Sequence, residues 1–293
     1  MNHHETFRVF TDYQLRIKNM LLRLKSIKIA AILAVLASCF IVAGCDKKDQ
    51  KDSNHIKVGV ISGPEQALAQ VAQKVAKDQY GLDVELITFN DYVLPNEALS
   101  KGDIDVNVFQ HQPYLDQQIQ DRGYELVAIG NAFIYPMAGY SKEITSLNEL
   151  TPGYQITMPN DPANLGRALL LLQKQGLIKL KPDVGLMPTV LDVIENPKDL
   201  TLVQLNAPQL PTSLDDKENI AIINTTYASQ IGLSPTKDGL FVEDKSSPYV
   251  NLIVTREDNK DDEKVKNFVK AYQSPLVEKE AEKIFQGGAV KGW

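Results

Sequence analysis

From Ile56 to the C-terminus the chain alternates short apolar runs with amphipathic segments, and this alternation restricts the fold more than any other feature. Residues 56–61 (IKVGVI) form a strand-length run stopped by Ser62-Gly63-Pro64. Leu68, Val71, Ala72, Val75 and Ala76 then keep the i, i+3, i+4, i+7, i+8 spacing of a helix, which Gly81 closes. Strands follow at 84–88 and 104–109, with helices at 96–101 and 113–122. The second half repeats the style without a true sequence repeat. Its strand runs are 155–158, 202–205, 220–223 and 251–255, and its helical runs are 163–175, 226–231, 262–272 and 276–285. The pattern predicts α/β layers with largely parallel sheets. Weak breaks at 138–151 and 244–249 flank a middle segment, so the chain is expected to cross twice between two lobes. One lobe is read as 55–137 plus 250–293 and the other as 138–249.

Ahead of this body, Arg23, Lys25 and Lys28 precede an uncharged run over 29–45, and Asp46, Lys47 and Lys48 follow at once. A basic flank, an apolar core and small residues before a cut mark a secretory signal. Val42-Ala43-Gly44-Cys45 resembles a bacterial lipobox, in which Cys45 is lipidated and becomes the mature N-terminus. The plainer alternative is a membrane-spanning helix, since about 17 uncharged residues sits near the lower limit for crossing a bilayer. Small residues directly before a Cys, with a polar tail directly after it, suit a peptidase better. Residues 1–44 are therefore read as a signal peptide and 45–54 as a lipidated, flexible tether. Residues 1–19 are polar and make an unusually long leader, and Met20 would open a conventional signal.

The first 44 residues hold six basic and two acidic side chains, so they account for +4 of the chain's net charge of −6 and leave −10 on the rest. A body this acidic argues against nucleic acid as a partner. Cys39 leaves with the signal and Cys45 is blocked by lipid, which excludes a disulfide, a Cys zinc site or a thiol nucleophile in the body. Only His55 and His111 remain there, too few for a His-rich metal site. No G-x-S-x-G, P-loop, H-E-x-x-H or G-x-G-x-x-G appears. Asp103 and Asp105 could pair for acid–base work, but they read more simply as solvated strand-end residues. The expectation is a non-enzymatic protein with no cofactor and no metal.

Two segments carry site chemistry. In Asp161-Pro162-Ala163-Asn164-Leu165-Gly166-Arg167, Asp161 can cap a helix and Pro162 suits its first turn. Asn164 and Arg167, three apart, then share a face near the positive end of the helix dipole. A carboxylate matches free N–H groups and a guanidinium fork, although a cap followed by a solvent-facing Arg has the same spacing. In Phe109-Gln110-His111-Gln112-Pro113-Tyr114 a strand gives way to a helix, the place where open α/β sheets bind ligands. Three ring-bearing side chains there could wall an apolar pocket suited to a thioether, or they could be ordinary core.

The blocks IKVGVISGPEQ, VAKDQYGLDVEL, FNDYVLPNEALSKGDID, FQHQPYLDQQ, PNDPANLGRALLLLQKQGLI, INTTYASQIGL, EDKSSPYVNLIVTRED and GGAVKGW resemble, in order, the NlpA family of lipoproteins over nearly all of residues 55–293. FNDYVLPNEALSKGDID looks like the family's methionine-binding branch, whereas Asp46 after the lipidated Cys is like the founding member and resembles an inner-membrane retention signal. The extension before Met20 has no counterpart. The resemblance implies a two-lobed periplasmic-binding-protein fold, type II-like, with the ligand in the cleft between lobes. It also implies that Arg167 binds an amino acid carboxylate, that Asn164, Asn224 and Asn251 hold its polar groups, and that Tyr92, Phe109, His111 and Tyr114 surround the thioether. The function it implies is capture of methionine (L-, with D- possible) by a monomer. The receptor would be held by lipid on Cys45, facing the periplasm, and would deliver to an ABC permease with its cytoplasmic ATPase. Same-fold and different-fold alternatives are an accessory binder of another amino acid or methionine derivative, and an exported hydrolase or adhesin. A cleft-facing Arg167 would add little to folding.

Overall fold

A computed structural model describes residues 54–244 and 247–293. The lipobox, Cys45 and the tether up to residue 53 lie outside the described residues. In chain order the first half runs β1 (His55–Ile61), α1 (Pro64–Tyr80), β2 (Asp83–Phe89), α2 (Leu94–Lys101), β3 (Val106–His111), α3 (Gln112–Arg122), β4 (Leu126–Ile134) and β5 (Ala138–Tyr140). Then come β6 (Gln155–Pro159), α4 (Pro162–Lys174), β7 (Lys179–Leu180), β8 (Val193–Glu195), β9 (Thr201–Leu205), the one-turn α5 (Leu210–Ser213), β10 (Asn219–Ile223) and α6 (Thr225–Gln230). The chain ends with α7 (Pro235–Asp238), β11 (Phe241–Val242), β12 (Val250–Arg256), α8 (Glu263–Tyr272), α9 (Pro275–Ile284) and β13 (Val290–Lys291).

The strands form two main sheets. The first has the order β13-β4-β12-β3-β1-β2 and the second β11-β5-β10-β6-β9, with β7 and β8 as a separate pair. Both are mixed, which corrects the expectation of largely parallel sheets. In the first, β1 runs parallel to β2 and β3, while β12 is antiparallel to β3 and β4, and β13 to β4. In the second, β6 is parallel to β9 and β10, while β5 is antiparallel to β10 and β11. Two of the antiparallel members, β12 and β5, are strands on which the chain changes sheet. β12 re-enters the first sheet between β3 and β4, and β5 opens the second one four residues after β4 ends.

Each sheet is covered on both faces. Leu68, Ala69, Ala72, Val75 and Ala76 of α1 are buried and join Val265 and Phe268 of α8 against Val58, Val60 and Val108. Burying one such Leu is worth roughly 1.5–3 kcal/mol. Leu99 of α2 and Leu115 of α3 pack with Leu252 and Val254 on the other face. Leu165, Ala168, Leu169 and Leu172 of α4 cover the second sheet, and Leu210 and Tyr227 lie with Ala221 and Ile223 on its opposite face. Asp105 accepts a hydrogen bond from the Lys57 N–H at 2.9 Å and pairs with Lys264 at 3.0 Å. It ties strands and helix together and has no catalytic geometry. His55 pairs at the surface with Asp83 and Glu85. Among the described residues no helix is long and apolar enough to cross a membrane, and no group of His, Cys, Asp and Glu is placed to hold a metal ion.

Candidate functional site

The C-terminal ends of β3, β6 and β10 carry the loops and helix starts that meet across one buried cleft, as open α/β sheets favour. β3 stops at His111, which caps α3: its Nδ1 accepts the Tyr114 N–H at 3.3 Å, with a Pro in the first turn of the helix. β6 ends before Asp161, whose Oδ1 accepts the Asn164 N–H at 2.9 Å and so caps α4 as the sequence suggested. β10 ends before Asn224, which opens α6. Gly166 permits close packing of α4, since a Cβ there would lie 2.5 Å from the Leu186 carbonyl oxygen.

Tyr92, Phe109, His111, Tyr114, Asn164, Arg167, Asn224 and Asn251, the eight residues singled out from the sequence, all line one cavity of about 340 Å³, its mouth included. Gln110, Tyr135, Thr225 and Thr226 line it as well. The two sides differ in chemistry. The side built on the first sheet supplies rings: Phe109 and Tyr114 meet edge to face at 5.9 Å, and Tyr92 lies 5.9 Å from Phe109 and 6.2 Å from Tyr114. The Tyr114 hydroxyl donates to the Tyr92 carbonyl at 2.7 Å, fixing the loop that carries Tyr92. The side built on the second sheet supplies Asn164, Arg167 and Asn224.

An amide chain joins the sides. Because His111 Nδ1 accepts a backbone N–H, the ring proton sits on Nε2, which donates to Asn164 Oδ1 at 3.2 Å. Asn224 Nδ2 donates to the same oxygen at 2.8 Å, and Asn164 Nδ2 donates to Asp161. Burial first, and then the Arg167 charge, push His111 down to about 3, so the imidazole is neutral at physiological pH. Burial raises the Asp161 carboxyl, opposed by the hydrogen bonds from Asn164. Asn251 pairs with His111 in register on β12, beside a register shift between Asn251 and Ile253.

Arg167 is only 3% exposed, and the structure corrects the expectation for it. Its guanidinium is not a free fork. Nε donates to Glu243 Oε1 at 3.0 Å, and Nη2 donates to Glu243 Oε2 at 2.5 Å and to the Tyr135 carbonyl at 2.9 Å. The group also stacks 4.5 Å over the Tyr249 ring. These bonds leave Nη1 for an anion in the cavity. They also make Arg167 part of a buried ion pair, so it contributes to folding as well as to the site. Glu243, Tyr135 and Tyr249 carried no spacing signal, since they come from distant segments that only the sheet crossings bring to α4.

Buried polar atoms complete the inventory. Asn224 Oδ1 and the hydroxyls of Tyr135 and Tyr249 have no hydrogen-bond partner among the described residues. A buried acceptor without a donor costs about 1–3 kcal/mol, so Asn224 Oδ1 and Arg167 Nη1 together suit a ligand that brings both a donor and an anion.

A ring-lined, buried cavity between two mixed sheets, with an acceptor amide and a guanidinium nitrogen to spare, defines a two-lobed solute-binding protein. The model of the NlpA lipoprotein family matches residues 56–293, and the chain belongs to that family. It is 72% identical over 265 residues to the D-methionine-binding lipoprotein MetQ of Escherichia coli (strain K12), spanning 90% of this chain and 97% of that protein. Among solved structures, the methionine binding protein MetQ is similar at TM-score 0.82 and 74% identity, over 83% of this chain and 99% of that one. A nutrient binding protein from Burkholderia cenocepacia bound to methionine is similar at TM-score 0.79 and 51% identity, over 81% and 100% of the two chains.

Proposed function

We propose that this protein is the methionine receptor of an ABC importer, held at a membrane surface by lipid on Cys45 and facing the periplasm. The observation that carries the reading is that Arg167 and Asn224, the latter with its Oδ1 unpartnered, line the same cavity as the rings of Tyr92, Phe109 and Tyr114. A zwitterionic amino acid presents a carboxylate and an ammonium a few ångströms apart, which matches one donor and one acceptor. The carboxylate would bridge to Arg167, itself anchored by Glu243, and the ammonium would meet Asn224. The unbranched thioether chain would lie among Tyr92, Phe109 and Tyr114, where burial contributes roughly 1.5–3 kcal/mol and sulfur–ring contacts add to it. The names of the relatives support this cargo. We further propose lobes of residues 55–137 with 250–293, and 138–249, closing on the ligand and docking as a monomer on a permease with a cytoplasmic ATPase. Asp46 favours retention at the inner membrane. No step in this function makes or breaks a covalent bond, so the protein acts as a receptor and not as an enzyme.

Calorimetric titration of the ligand-stripped protein with L- and D-methionine tests the cargo: saturable binding of at least one enantiomer, far tighter than of alanine, is expected, and no binding of either would overturn it. Cys45→Ala tests the anchor. The variant should accumulate as an uncleaved precursor or a soluble species, while normal size and membrane attachment would remove the lipid claim.

A further inference from the structure

We propose that Glu65 and Gln230 are positioning residues of a clasp that holds α6 across the cleft, and that they thereby set ligand affinity without touching the ligand. The inference builds on the receptor reading above for the ligand but not for the clasp itself. α6 presents three donors to the opposite side. Thr226 Oγ1 donates to Glu65 Oε1 at 2.7 Å, the Tyr227 hydroxyl to the Asn90 carbonyl at 3.3 Å, and Gln230 Nε2 to the Ser62 carbonyl at 2.8 Å. All three acceptors lie on α1 or on the loops that follow β1 and β2, separated from α6 in sequence by well over a hundred residues. Gly63 makes the seam close-packed: with φ +96° and no side chain, it lets Gln230 Cγ approach to 2.9 Å from where a Cβ would stand.

Of these residues only Thr226 lines the cavity. Glu65 stands behind it, 3% exposed, with Oε2 unpartnered. The titratable groups that face it are the phenols of Tyr92, Tyr135, Tyr227 and Tyr272, all shifted upward by burial and so neutral. With no cation to pair it, the carboxyl is pushed up to about 8 by burial, partly offset by the bond from Thr226. A neutral Glu65 sits in the seam at physiological pH. Once ionised, it would gain by reaching water, which it can do only if α6 lifts away. The apparent affinity of a receptor scales with the fraction of molecules in the binding-competent arrangement, so a loosened clasp weakens binding from outside the contact shell.

Two measurements on the full chain separate the clasp from the cargo. In the first, hydrogen exchange of the ligand-free protein is followed at pH 7 and pH 9, corrected for the intrinsic rate. Protection of residues 226–230 should fall at pH 9 in the native sequence and hold in Glu65→Gln, which keeps the acceptor oxygen but cannot ionise. The second is calorimetry with L-methionine. Gln230→Ala, a change at an exposed rim residue, should weaken binding roughly two- to tenfold, the value of one hydrogen bond. The pH 7 to pH 9 loss of affinity should be smaller in Glu65→Gln than in the native protein, a comparison in which the titration of the ligand's own ammonium cancels. If Glu65→Gln follows the native pH profile of protection, or Gln230→Ala binds as the native protein does, the clasp is wrong. If methionine binds none of the three proteins, the receptor reading fails while the exchange experiment still decides the clasp.

Discussion

The two walls of the cavity are built on different principles. The wall from the first sheet is a packed aromatic cluster in which Phe109 and Tyr114 also share contacts with Ile61 and Ala163. Its rings are held by van der Waals contact and one hydroxyl bond. The wall from the second sheet is a polar chain running Glu243–Arg167, then Asp161–Asn164–Asn224, in which each side chain is fixed by a hydrogen bond to the next group. An apolar wall tolerates small changes of shape, because its stabilisation is spread over many weak contacts. A polar wall does not, because removing one member strands the next in a site that water does not reach. Selectivity for the chain of the ligand should therefore be graded, and recognition of its charges should be close to all-or-none.

Arg167→Ala tests the polar wall at its centre and should have the largest effect. Losing one partner of a buried charged contact costs about 2–5 kcal/mol of affinity, or roughly 30-fold to several thousand-fold in Kd. The same change leaves Glu243 buried without its guanidinium, so folding should also lose about 3–5 kcal/mol, visible as a lower Tm. Methionine titration beside a thermal melt reads both, and an intact melt would show that the ion pair contributes nothing to the fold. The next effect is pH-dependent and sits where the walls join. His111 is held neutral, with its folded-state pKa lowered to about 3 from an ordinary 6.5. The unfolded chain then binds the extra proton between those values, so the stability this group contributes is complete above about 6.5 and declines as pH falls towards 3. A Tm profile from pH 7 to pH 4 should fall, and His111→Gln should flatten that limb. The aromatic wall should give the smallest change. Phe109→Leu keeps most of the volume but loses the edge-to-face partner of Tyr114, so methionine affinity should drop by about 0.5–1.5 kcal/mol, with alanine affinity nearly unchanged. An equal loss for both ligands would place the side-chain pocket elsewhere.

Much of this was legible in the residues, and the failures have physical causes. The helix at 163–175 and its Asp161 cap follow from local rules, and the structure places α4 within a residue of that reading. His111 at a strand–helix junction was legible in the same way. β4 was missed because Gly130 and Asn131 interrupt its apolar run and mimic a turn. The antiparallel strands were missed because strand direction is set by how the chain crosses between sheets, which leaves no periodicity. The eight cavity residues came from resemblance to the family; spacing alone had singled out only Phe109, His111, Tyr114, Asn164 and Arg167. The role of Arg167 was half legible. A guanidinium near a helix start suggested an anion, but its pairing with Glu243 depends on a contact across 76 residues of sequence.

The central claim is that the polar wall reads both charges of an amino acid while the rings read its chain. The direct test is calorimetry with methionine against two analogues that keep the thioether: 3-(methylthio)propylamine, which lacks the carboxylate, and 4-(methylthio)butanoic acid, which lacks the ammonium. Each should bind more weakly by about 2 kcal/mol or more, at least roughly 30-fold, because the Arg167 guanidinium or Asn224 Oδ1 then loses its ligand partner. Norleucine, which replaces only the sulfur, should keep most of the affinity. Tight binding of either single-charge analogue, at or near the strength of methionine, would contradict the account.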